Sequence, residues 1–183
     1  MVRSMSLNYN GPFNTPDFKL FHEILVELRP QLIVELGTGA LGITPFFAHC
    51  QSQWGGEVWT FDLYGASEDY AQCRIADTKA YSNMRFFRED VLRFANKRVI
   101  EAISPPGRFI FCDNGCKELE MALYGPYLGP GGILACHDYG HEVDPEWAEI
   151  FMPKLGFEKY REAEAKVLDG TFEYGTSRFW RKA

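Results

Sequence analysis

Three polar stretches of the sequence carry side chains that could do chemistry, and each directly follows a short apolar run. The first is the glycine-rich stretch Glu-Leu-Gly-Thr-Gly-Ala-Leu-Gly at 35–42. The second, at 113–117, begins with an aspartate and ends with a lysine, and the third, at 137–141, begins with the pair His-Asp. Because carboxylates, amines and imidazoles bind cations and move protons, these stretches hold the candidate functional residues.

The glycine-rich stretch places Gly37, Gly39 and Gly42 in a G-x-G-x-x-G spacing between an apolar run and a helical pattern. Glycines at such a turn leave no Cβ between backbone and ligand, and the N–H groups of the following helix are exposed. A nicotinamide dinucleotide and S-adenosylmethionine both suit such a turn. Glu35 separates them, because its carboxylate would oppose a pyrophosphate but attract a cationic sulfonium or its amino group. The turn therefore favours S-adenosylmethionine.

Short apolar runs alternate with helical patterns along most of the chain. After a first amphipathic helix, strands are predicted at 32–34, 58–61, 84–87, 109–112 and 133–136, and helices at 43–53, 69–81, 91–102, 117–128 and 145–155. Apolar strands alternating with helices indicate a parallel sheet covered on both faces. Two further runs, 157–160 and 176–180, predict a closing hairpin with no helix between its strands. The predicted fold class is α/β: a Rossmann-like, doubly wound, seven-stranded sheet, mostly parallel, with a C-terminal antiparallel hairpin.

The composition restricts the class of protein. The chain has 183 residues, of which 46% are hydrophobic, and a formal charge of −6. This acidity disfavours nucleic acid and anionic lipid as partners, and no apolar run approaches the ~20 residues that cross a bilayer. We see no secretion signal, and the five cysteines lack CxxC spacing, so we expect reduced thiols and a cytoplasmic location. We predict an N-terminal arm at 1–14 and a single domain at 15–183.

The order of these features resembles the class I S-adenosylmethionine-dependent methyltransferases, from the first helix to the closing hairpin. The stretch Leu-Gly-Pro-Gly-Gly-Ile-Leu at 128–134 is part of that resemblance. It implies that the first motif wraps the methionine part and ribose of the cofactor, that Asp62 accepts both ribose hydroxyls, and that Asp90 lies near the adenine amino group. Capping the following helix is an equally open role for Asp90. The implied cofactor-binding residues are Glu35, Gly37, Thr38, Gly39, Asp62, Leu63, Asp90 and Asp113.

Asp113 and Asp138 follow the fourth and fifth strands, whose carboxyl ends meet at one edge of an open parallel sheet. Two neighbouring carboxylates need a cation or a shared proton to offset their charge. The arrangement resembles small O-methyltransferases of the catechol and macrocin type. This resemblance implies that Asp113 and Asp138 are ligands of Mg²⁺ or another divalent cation, which would lower the pKa of an acceptor hydroxyl.

Under the same resemblance, Lys117 is the base or a positioning cation beside the attacking oxygen. Lys117 follows Asp113 by four residues where the catechol-type pattern has three, and Tyr139 stands where that pattern has Asn. The ending His-Asp-Tyr is closer to the macrocin-type branch. An alternative is that His137 and Asp138 form a hydrogen-bonded pair, with His137 as the base of a metal-free transfer. The candidate catalytic residues are Lys117, His137 and Asp138.

The sequence therefore predicts an S-adenosylmethionine-dependent methyltransferase that methylates a hydroxyl oxygen of a small molecule. In one of the two mechanisms considered, a divalent metal assists the transfer. Two alternatives remain open: a nicotinamide-dependent oxidoreductase, and a metal-binding protein of methyltransferase fold with a non-transferase reaction such as hydroxylation. Sugar, polyketide and phenolic hydroxyls all fit as acceptors. The acceptor must be chosen by short loops, by the N-terminal arm or by a second subunit, so a homo-oligomer is one expected arrangement.

Overall fold

The computed structural model describes residues 16–39, 43–63, 82–168 and 176–183. The predicted arm at 1–14, the predicted helix at 69–81 and Gly42 lie outside these ranges. The strands are β1 Leu32–Leu36, β2 Glu57–Asp62, β3 Met84–Arg88, β4 Phe109–Cys112, β5 Ile133–Tyr139, β6 Phe157–Tyr160 and β7 Thr176–Lys182. The described helices are α1 Pro16–Leu28, α2 Thr44–Ser52, α3 Lys97–Ile103, α4 Lys117–Tyr124, α5 Pro145–Lys154 and α6 Glu162–Val167.

The seven strands form one sheet in the order β3-β2-β1-β4-β5-β7-β6. The first five strands run parallel, and β7 lies antiparallel between β5 and β6. The predicted fold class is therefore confirmed. The chain leaves β1 toward β2 on one side and reaches β4 on the other, so the switch in strand order lies between β1 and β4. Ligands of doubly wound sheets bind outside the carboxyl ends of the strands at this switch.

Helices cover both faces of the sheet, each over its own apolar core. On one face, Val34 and Leu36 of β1 belong to the core that α3, α4 and α5 cover. On the other face, Ile33 packs with Phe21 of α1 and Phe47 of α2. Successive residues of a strand point to opposite faces. Glu35 of β1 therefore points to the side of α1 and α2, as Ile33 does.

The helix predicted at 91–102 begins later than the sequence pattern suggested, because a capped bend precedes it. The side chain of Asp90 accepts hydrogen bonds from the backbone N–H groups of Leu92 and Arg93, and α3 starts only at Lys97. Asn96 is the residue that caps α3. Both Asp and Asn are strong N-cap residues, and the sequence alone did not decide between them.

The prediction of a closing hairpin without a helix was wrong in its connection, although β6 and β7 do pair antiparallel. Helix α6 lies between them and begins after Arg161, whose φ of +55° is in the left-handed region. Ala165 of α6 and Leu168 after it pack into the core that contains Phe21. Helix α6 has only six residues and one buried position, Ala165, so no long periodic pattern marks it in the sequence.

No described helix is both long and apolar enough to cross a membrane.

Candidate functional site

The turn after β1 brings the ends of three strands into close contact. Gly37 has a φ of +93°, and its N–H donates to the carbonyl oxygen of Phe61 in β2 at 2.8 Å. A Cβ at Gly37 would lie 2.4 Å from the carbonyl oxygen of Asp113, which follows β4. A glycine is therefore required at this position, both by its backbone conformation and by the approach of the loop after β4.

Asp62, the predicted ribose-binding residue, lies against the same turn. Its Oδ2 accepts a hydrogen bond from the N–H of Gly39 at 3.0 Å, and its side chain is buried. Thr38, between the two glycines, is also buried and forms a 2.6 Å hydroxyl–hydroxyl hydrogen bond with Thr60 of β2. Leu63 is exposed beside Asp62. The structure thus gathers these predicted cofactor residues at the carboxyl ends of β1 and β2.

Glu35 is fully buried beneath this turn. The hydroxyl of Thr44, the first residue of α2, donates to its Oε2 at 2.7 Å. Burial is the main cause that raises the pKa of Glu35 to about 8, and hydrogen bonds from Thr60 and Thr44 oppose the rise. At neutral pH the side chain is therefore mostly a neutral carboxyl in the ligand-free protein, whereas the sequence predicted a carboxylate.

Asp90 does not cap the following helix, the role that the sequence left open for it, because Asn96 is the N-cap of α3. Its Oδ1 accepts hydrogen bonds from the backbone N–H groups of Leu92 at 2.8 Å and Arg93 at 2.9 Å. These N–H groups lower the pKa of Asp90. The segment that it caps is the bend before α3. Contact of Asp90 with adenine stays a prediction.

Lys117 lies at the centre of a cluster of carboxylates at the ends of β4 and β5. Its Nζ lies 3.3 Å from Oδ1 of Asp113 and 3.2 Å from Oδ2 of Asp138, and it also contacts the carboxylate of Glu142. The side chain is only 2% exposed. Burial lowers the pKa of Lys117, but these carboxylates outweigh it, so the pKa lies above its ordinary value. Of the two predicted roles, this geometry favours the positioning cation over the base.

Asp113 keeps a raised pKa in spite of this neighbour. Burial raises the pKa of Asp113 to about 6, while Lys117 and His137 act in the opposite direction. The ammonium of Lys117 thus supplies the cation that two neighbouring carboxylates require, and it does so from within the chain.

His137 and Asp138 lie in an irregular stretch of β5. The pairing register with β7 shifts between Cys136 and Tyr139, and Asp138 has a φ of +53°. Nδ1 of His137 lies 2.8 Å from Oδ1 of Asp138, while Oδ2 of the same carboxylate faces Lys117. A β-bulge of this kind redirects side chains at functional edges. The side chains of His137 and Asp138 are therefore in contact, as the predicted pair requires.

The same residues could hold a metal ion. Asp113, His137 and Asp138 each offer one ligand atom, and these atoms lie within 4.8 Å of one another. Two carboxylate oxygens and an imidazole nitrogen suit a transition-metal ion as well as they suit Mg²⁺. The donor set therefore fits a divalent ion, although such an ion would compete with the ammonium of Lys117 for two of the carboxylates.

The sequence prediction missed two acids near Lys117, one on α4 and one after β5. Glu120 on α4 is completely buried, and its Oε1 has no hydrogen-bond partner among the described residues. Burial raises the pKa of Glu120 to about 8. Its position three residues after Lys117 on one helix was the available signal. Glu142 is not among the residues predicted for the site, but the turn after β5 brings it to Lys117.

The strand order, the glycine turn held by Asp62 and the polar cluster after β4 and β5 define a protein of the class I S-adenosylmethionine-dependent methyltransferase fold. The predicted resemblance to this class is confirmed. No profile of a known protein family matches the chain. The chain is 27% identical over 172 residues to a rhamnosyl O-methyltransferase of Mycobacterium leprae, covering 86% of this chain and 69% of that protein.

Solved structures give the same fold at lower sequence identity. The O-methyltransferase TomG of Streptomyces achromogenes, solved in complex with S-adenosylmethionine, superposes with a TM-score of 0.64 at 14% identity, over 90% of this chain and 78% of TomG. A methyltransferase of Geobacter sulfurreducens superposes with a TM-score of 0.62 at 16% identity, over 89% of this chain and 77% of the other.

Proposed function

We propose that this protein transfers the methyl group of S-adenosylmethionine to a hydroxyl oxygen of a small acceptor. One observation carries the proposal: the glycine turn and the polar cluster form one site. The missing Cβ of Gly37 leaves room for the carbonyl of Asp113, and Asp113 is itself an ion-pair partner of Lys117. A cofactor bound at the turn and an acceptor bound at the cluster would therefore be neighbours.

Direct methyl transfer depends mainly on positioning, because the sulfonium is already a good leaving group. The chain must hold the acceptor oxygen in line with the methyl group and accept the hydroxyl proton. His137 is placed to accept the proton, since its imidazole is 36% exposed at the end of β5 and Asp138, 2.8 Å from its Nδ1, orients the ring. Lys117 helps to hold the acceptor, because its ammonium fixes the carboxylates of Asp113 and Asp138 and its positive charge stabilises an oxygen that becomes negative.

A divalent ion, if bound, would be held by Asp113, His137 and Asp138 and would lower the pKa of the acceptor hydroxyl. The imidazole of His137 would then be a metal ligand, so it could not also accept the hydroxyl proton in a pair with Asp138. The two versions thus assign different roles to the same three residues, and a chelator separates them.

A sugar hydroxyl is the first acceptor to test. The Mycobacterium leprae relative is named a rhamnosyl O-methyltransferase, and it matches most of this chain. Phenolic and polyketide hydroxyls form the comparison set, because the polar cluster contains nothing that requires a particular ring.

The first experiment is calorimetric titration of the purified protein with S-adenosylmethionine and, separately, with reduced nicotinamide dinucleotide. We expect binding of the first alone. No binding at millimolar S-adenosylmethionine would contradict the proposal, and binding of the nicotinamide cofactor would support the oxidoreductase alternative.

The second experiment measures methyl transfer from labelled cofactor to deoxysugar glycosides and phenols, with and without a chelator. Replacement His137→Gln should lower the turnover by about 100-fold, as expected for loss of a general base, and should leave cofactor affinity unchanged. His49→Gln, in the last turn of α2, is the matched control and should behave as the unmodified protein. Equal turnover in both variants would contradict the role of His137, and complete loss on chelation would assign the chemistry to a metal.

A further inference from the structure

Among the described residues, Glu35 is surrounded by hydroxyl groups and has two carboxyl groups nearby. It points from β1 toward α2 and is 1% exposed. Its hydrogen-bond partners are hydroxyl groups: Thr44 of α2 donates at 2.7 Å, and Thr60 of β2 provides a second hydrogen bond. Two acidic groups of the described part of the chain, Asp113 after β4 and Asp62 at the end of β2, raise its pKa further.

A buried carboxyl between two carboxylates keeps its proton, because ionisation would add a third negative charge to a region shielded from water. The raised pKa of Glu35, about 8, agrees with this geometry. The balance changes when a positive ligand enters, since a cation near the turn attracts the ionised form of Glu35. The two hydroxyl donors are already in place to solvate that form.

S-adenosylmethionine and its product differ by one charge at the reacting atom. The sulfonium of the cofactor is positive, whereas the thioether sulfur of S-adenosylhomocysteine is neutral. Both carry the same amino acid group and the same nucleoside. A residue that responds to the charge on sulfur can therefore favour cofactor over product without any contact that differs in shape.

We propose that Glu35 discriminates the cofactor from the product by charge: it releases a proton when the sulfonium binds and regains one when methyl transfer leaves the neutral thioether. The inference rests on the proposed function, because it needs the cofactor at the turn after β1. In the first step the O–H bond of the Glu35 carboxyl breaks and the proton passes to solvent. After methyl transfer, with the acceptor proton taken up separately, the carboxylate takes a proton from solvent and weakens its hold on the product.

The test compares the number of protons that the protein releases when it binds each of the two ligands. In calorimetric titrations of the full-length protein at pH 7, performed in buffers of different ionisation enthalpy, S-adenosylmethionine should release more protons than S-adenosylhomocysteine. The ratio of the two affinities should rise about tenfold in favour of S-adenosylmethionine between pH 6.5 and 8.5, because only the cofactor stabilises the ionised carboxyl. The sulfonium keeps its charge over this range.

Glu35→Gln removes the titrating group while keeping a side chain of similar size. In this variant the two ligands should release equal numbers of protons, and the affinity ratio should not change with pH. Glu27→Gln is the control, because Glu27 is an acid with a shifted pKa that pairs with Tyr160 and Arg161 rather than with residues of the turn or the cluster. This variant should retain the difference between the ligands.

The outcomes separate the two proposals. Equal proton release by both ligands in the unmodified protein would overturn the role of Glu35 and leave the proposed function intact. So would a persisting difference in Glu35→Gln, or its loss in Glu27→Gln. Failure of both ligands to bind the unmodified protein would overturn the proposed function and this inference together. If Glu35→Gln does not fold, the proton counts of the unmodified protein and of Glu27→Gln decide between these outcomes.

Discussion

Replacement of Gly37 by alanine tests the central geometric claim, that the turn after β1 and the loop after β4 fit together only through a missing side chain. An added Cβ would lie 2.4 Å from the carbonyl oxygen and 2.6 Å from the carbonyl carbon of Asp113, and 2.7 Å from the Cα of Asn114. All three are backbone atoms, so no side-chain rotation relieves the contact. One of the two strand ends must move.

The cost has two parts. A φ of +93° costs a residue with a Cβ about 1–2 kcal/mol, and forcing an extra methyl into a packed position costs about 1–3 kcal/mol more. We therefore expect Gly37→Ala to lower the free energy of unfolding by about 3 kcal/mol. For a chain of this length that is a fall in Tm of about 6–12 °C. Affinity for S-adenosylmethionine should fall at least about tenfold, because the displaced backbone lines the cofactor site.

Gly107→Ala is the matched control. Gly107 also has a positive φ, +68°, but an added Cβ there would have nothing within 4 Å. Only the backbone cost should appear, about 1 kcal/mol and a fall in Tm of about 2–4 °C, with cofactor affinity unchanged. Thermal denaturation and calorimetric titration measure both quantities. The reasoning is refuted if Gly37→Ala is no less stable than Gly107→Ala and binds the cofactor normally.

Three further predictions concern the charged groups of the site. Lys117→Met should lower the free energy of unfolding by about 3 kcal/mol in urea titrations, because it leaves the half-buried carboxylates of Asp113 and Asp138 without their cation; an unchanged midpoint would contradict the cluster. Asp62→Asn should weaken S-adenosylmethionine binding about tenfold, since an amide accepts fewer hydrogen bonds from ribose, and should lower Tm only slightly, because the amide oxygen can still accept from the N–H of Gly39; equal affinity by calorimetry would remove Asp62 from the site. For Glu120 the folded pKa of about 8 exceeds the ordinary value of 4.5, so the folded state binds the extra proton and stability falls as pH rises from about 4.5 to 8. Glu120→Gln should flatten the dependence of Tm on pH in that window, and an equally steep fall in both proteins would show that Glu120 is not its source.

The sequence predicted the larger part of the fold because its strands and helices differ in period and composition. Uniformly apolar strands such as Phe109–Cys112 occur where both faces of a sheet are covered, and the structure has that arrangement. The start of α3 escaped prediction because Asp90 and Asn96 carry the same capping chemistry. Tertiary contacts separate the two: the hydroxyl of Tyr124 on α4 donates to the carbonyl of Val91 and accepts from the N–H of Asn96, which holds the bend between them.

The candidate site was likewise predicted in part from the sequence and decided in part by tertiary contacts. Residue types and their positions after apolar strands were enough to select Gly37, Asp62, Asp113 and Asp138, because parallel strands place their carboxyl ends at one edge. The spacing of Lys117 after Asp113 indicated that the two could meet on one helical turn.

The sequence by itself thus determined the layered fold, the glycine turn proposed to bind the cofactor and the polar character of one sheet edge, since these follow from local periodicity and from which residues end each strand. The tertiary structure decided how the charges of that edge are balanced. It placed Lys117 among Asp138 and Glu142 as well as Asp113, and it buried Glu35 and Glu120 where water does not reach them. Burial and through-space pairing set which acids keep their protons, and both depend on contacts between residues far apart in the chain.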